Sequence, residues 1–293
     1  MPGDPVEMMI ASNPKITSED VARLRDLYGL DQPAYTRYLN WAETIIQGDL
    51  GHSRTYRVPV SELLGPRLWN TFILSMVSLV FSLIIALPIG VYAALKPGGK
   101  FDSIVNMLAF IGISMPSFLL ALFLIILFAV QFGMLPAGGT ETIGLGATGF
   151  GYYLDRAKYL ILPVLSLSIL QIGVYVRYAR GSMLDVMRLD FIRTARAKGL
   201  SHHVVIWKHA FRNALIPMIT VVALSLSSVF SGALLTETVF AYQGVGKLVY
   251  DSIMGNDFNV AMVSFIISVS MVLVMNLVAD ILYGFVDPRI TYE

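Results

Sequence analysis

Apolar stretches of helical length alternate with short polar linkers along the chain after residue 66. We place five such stretches at residues 71–95, 104–132, 159–178, 215–235 and 260–285. Each holds about 20 to 29 residues, and an α-helix of ~20 residues crosses the ~30 Å hydrocarbon core of a bilayer. The pattern therefore predicts an all-α membrane protein, a polytopic helical bundle with five spans in this chain.

Prolines fall within or near the ends of three of these predicted spans. Pro88, Pro116 and Pro163 each lack a backbone N–H, so one helical hydrogen bond is missing at each position and a kink is expected there. If the bundle transports a solute, polar or small groups on such kinked helices should line the path. The candidates are Ser114, Pro116, Ser117, Ser166, Ser168, Gln171, Ser227, Ser228 and Ser231.

Residues 1–66 are polar and predict two short amphipathic helices. Thr17 and Asp20 have the spacing of a capping box at the start of the first helix, and Gly29 is suited to end it. The second helix is expected to begin near Pro33. We expect the two helices to form a small cap on the membrane body.

The composition agrees with a membrane location and excludes several kinds of chemistry. With 56% hydrophobic residues, 14% charged residues and a mean hydropathy of +0.68, the chain is too apolar for a soluble domain of 293 residues. It contains no cysteine, so disulfides, thiolate chemistry and cysteine-bound metals are excluded.

Positive charge is concentrated in one linker, although the net charge is only +1. One third of all lysine and arginine residues lie there, at Arg180, Arg188, Arg193, Arg196, Lys198, Lys208 and Arg212. By the positive-inside rule this basic linker faces the cytoplasm. Five spans then place residues 1–66 outside the membrane. We expect a sixth span upstream of Met1, which would return both termini to the cytoplasm.

The basic linker is expected to form two helical pieces divided by Gly199. The first covers residues 182–198, and the second follows Ser201, a suitable N-cap. A helix held by spans at both ends passes a rigid displacement into the bundle, whereas a flexible loop absorbs it. Ala195 and Ala197 present little bulk and would allow close approach to a partner surface. The alternative to a contact with a partner is that the positive charges of the linker only fix the orientation of the chain in the membrane and contact anionic lipid.

The basic linker resembles the EAA-type cytoplasmic loop of ABC importer permeases, in the form found in their peptide and nickel branch. The matching residues are Arg193-Thr194-Ala195-Arg196-Ala197-Lys198-Gly199, His209, Arg212-Asn213 and Pro217. Further matches are Pro2-Gly3-Asp4-Pro5-Val6-Glu7, Gly29-Leu30-Asp31-Gln32-Pro33, Gly48-Asp49-Leu50-Gly51, Pro116-Ser117-Phe118, Glu237-Thr238-Val239-Phe240 and Asp287-Pro288-Arg289. The chain departs from the wider superfamily pattern at Arg193, which replaces a glutamate, and in the longer gap from Gly199 to Pro217.

The resemblance implies the transmembrane domain of a type I ABC importer, with six spans in the family. A coupling helix in the loop would insert into a groove on a separate ATPase subunit. The residues implied in that contact are Asp190, Arg193, Thr194, Ala195, Arg196, Ala197, Lys198, Gly199, His209, Asn213 and Pro217. The implied domains are an extracytoplasmic segment at 1–66, a transmembrane domain at 67–286 with the coupling loop at 179–214, and a cytoplasmic tail at 287–293.

The same resemblance implies a multi-pass protein of the bacterial inner membrane that is not itself an enzyme. Its expected partners are a second homologous permease, two ABC ATPase subunits and an extracytoplasmic solute-binding protein. ATP and Mg²⁺ would be bound by the ATPases, with no cofactor or metal on this chain.

The expected cargo is a dipeptide or oligopeptide. The alternative is nickel or another small solute, such as an opine or an oligosaccharide. An ion-coupled secondary transporter is a further alternative, which is disfavoured because no inverted repeat or mid-membrane charged pair is evident in the sequence.

Several short motifs lack residues that their chemistry requires. In Gly244-Val245-Gly246-Lys247, a phosphate loop would need glycine at Ala241 and serine or threonine at Leu248. The glycine-rich run at 144–149 lies in an outer loop with no preceding strand. The histidines at 202, 203 and 209 lack both the spacing and the carboxylate of a metal site.

Two acidic residues near the spans are candidates for function. Asp280 lies near the cytoplasmic end of the last span, where pairing with an arginine or a helix terminus is favoured over a proton relay. Glu237 follows the fourth span at the outer face. It either contacts a docked receptor or marks the membrane interface.

Overall fold

The computed structural model describes residues 17–27, 32–146, 148–227, 229 and 233–286. Those residues are mainly helical, which confirms the predicted all-α bundle. Outside them lie the matches at 2–7 and 287–289, the helix end at Gly29, the path candidates Ser228 and Ser231, and the predicted tail at 287–293.

Two short helices precede the bundle, as predicted. Helix α1 covers Ser18–Leu27 and α2 covers Ala34–Ile46. The Thr17 backbone N–H donates to the Asp20 carboxylate at 3.0 Å, and the Asp20 N–H donates to Thr17 Oγ1 at 3.3 Å. This reciprocal pair is the predicted capping box, which satisfies two backbone donors at the helix start.

The bundle begins with α3 (Val60–Leu95), α4 (Lys100–Ser114), α5 (Ser117–Leu124), the π-helix π1 (Ile125–Gln131) and α6 (Phe150–Val186). It continues with α7 (Asp190–Ala197), α8 (His202–Val204), the π-helix π2 (Val205–Phe211), α9 (Arg212–Ser227), α10 (Leu234–Val239), α11 (Val245–Met254) and α12 (Phe258–Val286). Within the described residues, four stretches are long and apolar enough to cross a bilayer, in α3, α6, α8 to α9, and α12. The bent pair of α4 with α5 and π1 makes a fifth when it is counted as one span.

Two helices extend beyond the apolar stretches that predicted them. Helix α3 begins well before residue 71, because Val60 and Leu64 are buried against Leu248 of α11. Helix α6 continues past residue 178, because Met183 and Val186 are buried in a cluster at its C-terminal end. The apolar pattern marks the hydrocarbon-spanning part of each helix, and tertiary packing lengthens the rest.

The predicted span at 104–132 is broken near its middle, more sharply than the expected kink. Helix α4 and the stretch formed by α5 and π1 meet at an angle of 100°. The two residues between the helices, Met115 and Pro116, have extended backbone with ψ of 126° and 132°. Proline cannot donate to the preceding turn and disfavours helical backbone in the residue before it, so the break falls here. Helices α3 and α6, in contrast, continue through Pro88 and Pro163.

The predicted span at 215–235 is displaced in the structure. Helical backbone begins at His202, and α9 ends at Ser227. The apolar pattern missed this start because Lys208 and Arg212 interrupt it. The wide turns of π2 lie in the same part of the helix, and π-helical segments are rare and often functional.

Helix α6 lies at the centre of the bundle and packs closely on α3 and α4. A Cβ at Gly90 of α3 would lie 2.6 Å from the Ala179 Cβ of α6. A Cβ at Gly173 of α6 would lie 2.8 Å from the Ala109 carbonyl oxygen of α4. Small residues at these crossings let the backbones approach, as is usual between helices in membranes. Helix α9 packs mainly on α12.

Candidate functional site

The basic linker forms a short helix, α7, set off by a turn at each end. Helix α6 ends at Val186, and Leu189 has extended backbone with ψ of 150°. The predicted single helix at 182–198 is therefore wrong, since a turn separates the end of α6 from α7. Asp190 in the first turn of α7 favours this start, because a helix N-terminus attracts negative charge.

Gly199 ends this helix, as predicted. Its φ is +72°, a left-handed conformation that glycine adopts without a steric penalty. The Gly199 N–H donates to the Arg196 carbonyl at 3.0 Å, and the Leu200 N–H to the Ala195 carbonyl at 3.3 Å. A Cβ at position 199 would meet open space, so glycine is required for its conformation and not for its size. Ser201 occupies the next N-cap position but makes no side-chain capping bond.

One face of α7 is buried against the ends of the spanning helices. Ile192 is fully buried, and Ala195 is 5% exposed. They join an apolar cluster, here called the inner cluster, with Val91 and Ala94 of α3, Met183 and Val186 of α6, and Val205, Ile206, Ala210 and Ala214 of π2 and α9. The expectation that Ala195 faces a partner is wrong, because it shares the inward face with Ile192 at i, i+3 spacing.

The opposite side of α7 is exposed and positively charged, and we call it the basic face. It consists of Asp190, Arg193, Thr194, Arg196, Ala197, Lys198 and Gly199, all of them exposed. Arg193 and Asp190 approach to 3.5 Å, but their side chains are 80% and 93% exposed, so this ion pair contributes little. The helix therefore presents three cations to the solvent while its other face is fixed.

The remaining residues of the predicted coupling set lie on the next helix. His209 is half-buried in π2, and the Asn213 side-chain amide donates to its carbonyl at 2.7 Å. Pro217 is exposed inside α9 and cannot donate a backbone N–H to the preceding turn. These three residues belong to the helix on which α7 packs, and not to the basic face.

Aromatic contacts hold π2 against the C-terminal end of α3. The Trp207 ring lies edge-on to Phe211, with centroids 5.2 Å apart, and edge-on to Tyr92 of α3 at 6.1 Å. Such pairs stabilise a contact beyond the area that they bury. A displacement of the linker therefore also displaces the helix ends beside it.

A buried ion pair joins α4 to α6 next to the linker. Arg180 donates to both carboxylate oxygens of Asp102, with 2.7 Å between Nη2 and Oδ2. The same carboxylate accepts the Gly98 N–H at 2.8 Å and the Asn106 side-chain amide at 2.7 Å. These bonds compensate a charge that is almost fully buried. The pairing connects positions 78 residues apart, so no local sequence signal reveals it.

A second buried carboxylate, that of Glu237, lies at the end of the bundle opposite the basic linker. It accepts the Thr71 hydroxyl at 2.7 Å and the Lys247 backbone N–H at 3.0 Å. A Cβ at Gly244 would collide with the carboxylate, so this glycine makes room for it. Burial raises the pKa of the Glu237 carboxyl, because the ionised form loses its hydration there. The expectation of a receptor contact is wrong, since the Glu237 side chain is fully buried within this chain.

Three of the candidate path residues, all on α6, make contacts between helices. The fully buried Ser166 hydroxyl donates to the carbonyl of the half-buried Ser117 at 3.4 Å. The Gln171 side-chain oxygen accepts a hydrogen bond from the Ser82 hydroxyl of α3 at 3.1 Å. The buried Ser168 hydroxyl donates to a backbone carbonyl of α3. These polar groups therefore hold α6 against α3 and α5.

The other path candidates lie at helix ends. Ser114 and Pro116 are exposed at the break between α4 and α5. Ser227 is the last residue of α9, and Ser231 lies outside the described residues. A role for any of them in a solute path stays a prediction.

Residues 86–292 match the family described as Binding-protein-dependent transport system inner membrane component. The Oligopeptide transport system permease protein AppB of Bacillus subtilis (strain 168) is 42% identical over 292 residues, which cover 99% of this chain and 90% of that protein. The Dipeptide transport system permease protein DppB of Escherichia coli (strain K12) is 37% identical over 310 residues, covering 100% and 91%.

Solved structures of lower identity share the fold. A chain of the MetNI methionine ABC transporter, in an inward-facing conformation, has a TM-score of 0.62 at 20% identity and covers 78% of this chain and 97% of its own. A chain from a crystal structure of an amino acid ABC transporter with histidines has a TM-score of 0.55 at 16% identity, with coverage of 78% and 95%.

Proposed function

The chain belongs to the family of binding-protein-dependent transport system inner membrane components, and we propose that it carries peptides inward as a permease subunit of an ATP-driven importer. It is a multi-pass inner-membrane protein with the fold of a type I ABC importer transmembrane domain. One observation carries the peptide assignment. The chain is 42% and 37% identical, over its whole length, to permeases named for oligopeptide and dipeptide transport.

The proposed assembly contains a second homologous permease, two ABC ATPases and an extracytoplasmic solute-binding protein. In it, the basic face of α7 docks into a groove on one ATPase, where Arg193, Arg196 and Lys198 pair with acidic groups. The small side chain of Ala197 leaves room for close approach. ATP and Mg²⁺ are bound by the ATPases, and this chain contributes no nucleotide or metal site.

Movement of the ATPases enters the bundle through the inner cluster. A push on the basic face reaches Val91 of α3, Met183 of α6 and Ala214 of α9 by way of the two buried residues of α7, Ile192 and Ala195. A close-packed cluster passes on a displacement because it has little free volume to absorb it.

The ion pair of Asp102 and Arg180 carries the same displacement to α4. Because the Asp102 carboxylate is almost fully buried and Arg180 donates to both of its oxygens, the first half of the broken span moves with α6. The break at Pro116 lets α4 change its angle to α5 without bending a continuous helix. In the proposed alternating access, the spanning helices reorient in this way between an outward-open and an inward-open arrangement.

Reconstitution in liposomes tests this proposal. The vesicles contain both permeases and both ATPases with ATP enclosed, and the solute-binding protein and a labelled dipeptide are added outside. Uptake should require ATP, persist when ionophores dissipate ion gradients, and be lost when the ATPases are omitted. Uptake that stops with ionophores but needs no nucleotide would favour ion-coupled transport. Accumulation of nickel without peptide would contradict the peptide assignment.

A further inference from the structure

A groove lined by both apolar and charged residues lies between α4 and α6, toward the C-terminal end of α6. Its cavity has a volume of about 570 Å³, within the range of small-molecule sites. It is lined by Ile113, Val174, Arg177, Tyr178, Gly181, Ser182 and Asp185. The sequence-based path candidates include none of these residues.

Arg177 is the cation of this groove, and its guanidinium has no carboxylate partner within ion-pair distance among the described residues. Its guanidinium carbon lies 4.7 Å from the centre of the Phe110 ring, so an aromatic face holds it from one side. Arg180, one turn further along α6, is instead paired with Asp102. The two arginines of α6 thus differ. The charge of Arg180 is neutralised by a carboxylate of this chain, whereas the charge of Arg177 stays available to bind an anion.

Arg177 lies near the C-terminal end of the apolar stretch of α6, one residue before its predicted end at 178. Its guanidinium contacts the Phe110 ring of α4. A charged side chain within a span is unfavourable in lipid and in membrane proteins almost always faces a water-filled cavity or another protein group. Because Arg177 is exposed on this chain, we take the groove to open to one of these.

We propose that the groove is a cargo site in the inner half of the translocation path, in which Arg177 binds the carboxylate of the transported solute. The inference rests on the proposed function and names the contact that its cargo makes. Arginine binds carboxylates through two parallel N–H donors, which gives both strength and orientation. Every peptide with a free C-terminus carries this group, so the contact suits cargo of varied sequence.

The other end of the groove has the opposite charge. Asp185 follows Arg177 by eight residues, or ~12 Å along α6, and lies at the cytoplasmic mouth. An extended chain covers ~3.3 to 3.6 Å per residue, so a peptide of about three residues spans this distance. The groove therefore presents charges complementary to both termini of a short zwitterionic peptide.

Peptide binding to the purified complex tests this site. The complex of both permeases and both ATPases, without nucleotide, is titrated calorimetrically with trialanine and with its C-terminal amide. The solute-binding protein is left out, so that it cannot set the preference. We expect Arg177→Gln to raise the Kd for trialanine about 10-fold or more and to leave the Kd for the amide unchanged. Arg177→Lys should recover part of the loss, and the control Arg188→Gln, outside the groove, should retain the wild-type preference.

Three results would overturn the site: no binding to the wild type, the same Kd for trialanine in Arg177→Gln, or an equal loss for the acid and the amide. An equal loss, with weaker association of the two permeases, would assign the groove to the contact between them. The proposed function has a separate test, because ATP-dependent uptake by the wild type does not depend on this titration.

Discussion

Two buried contacts hold the spanning helices together, and they differ in chemistry. We call the contact made by the inner cluster the inner joint and the contact around Glu237 the outer joint. The inner cluster is apolar and lies beneath an exposed basic face. The outer joint consists of Glu237, the Thr71 hydroxyl and the first backbone N–H groups of α11, and its carboxylate is fully enclosed. Hydrogen bonds fix distances and angles, whereas apolar contact is non-directional. The comparison teaches that the inner joint is suited to receive and transmit movement, and the outer joint to resist it.

The change with the largest expected effect breaks the inner joint. Ile192→Asp places an unpaired carboxylate in the inner cluster, where desolvation costs several kcal/mol, so α7 should detach from the bundle. We expect peptide uptake by the reconstituted complex to fall by about 100-fold or more. Any ATP hydrolysis that remains should no longer drive uptake. The control Ile192→Val keeps the apolar contact, and coupled uptake in Ile192→Asp equal to that of the control would contradict the account.

A substitution in the outer joint should lower the stability of the permease and should leave the coupling of ATP hydrolysis to uptake unchanged. Glu237→Ala leaves the Thr71 hydroxyl and the backbone N–H of Lys247 without their acceptor, at ~1–3 kcal/mol for each group. Denaturant unfolding of the purified permease should show a loss of ~3–5 kcal/mol, while uptake per folded complex changes by less than about two-fold. Glu237→Gln, which keeps an acceptor oxygen, should lose less. If Glu237→Ala had normal stability but hydrolysed ATP without uptake, the outer joint and not the inner joint would be the one that transmits movement.

A milder change sharpens the role of the inner joint. Gly199→Leu forces a branched side chain into the left-handed region, with a strain of ~1–2 kcal/mol and no clash. Uptake should fall about 5- to 30-fold at unchanged membrane insertion, because the end of α7 is displaced. The matched control is Gly65→Leu, where a Cβ also meets open space but the backbone is helical. Normal uptake in Gly199→Leu would show that the left-handed turn is dispensable.

The smallest expected effect is a pH dependence of the outer joint. The Glu237 carboxyl has a raised pKa in the folded state, so it binds its proton more tightly there than in the unfolded chain. Its contribution to stability is therefore complete below ~4.3, the usual pKa of glutamate, and is lost as pH rises through the folded-state pKa. Wild type should lose stability relative to Glu237→Gln across that range. A constant difference between the two unfolding curves would contradict the raised pKa.

The parts of the molecule that could be predicted from sequence have a local signal. Apolar runs indicated the spans, a cluster of cations indicated an exposed linker between them, and Gly199 indicated the end of the helix in that linker. The break at Pro116 was expected as a kink, but the pattern of apolar residues continues across it and gives no angle. The inward position of Ala195 follows from its spacing to Ile192 only once the turn before Asp190 is known.

Contacts between distant positions could not be predicted in this way. Thr71 and Glu237 are 166 residues apart and meet only because α3 packs beside α10 and α11. The same holds for Asp102 and Arg180, which pair across two antiparallel helices. Glycines that looked like part of a phosphate loop, Gly244 among them, make room for a carboxylate of the same chain. The sequence shows the residue types, and the packing decides their partners.

The most direct test of the central claim measures access to the basic face. Because the chain has no cysteine, single cysteines can be introduced at Ala197 on this face, at buried Ala195, and at exposed Lys100 as a control outside it. Maleimide labelling is followed in inside-out membrane vesicles with and without the ATPase subunits. The account predicts rapid labelling at 197 that is suppressed when the ATPases are present, slow labelling at 195, and no change at 100. Equal labelling at 197 in both kinds of vesicle would contradict docking of this face on the ATPase.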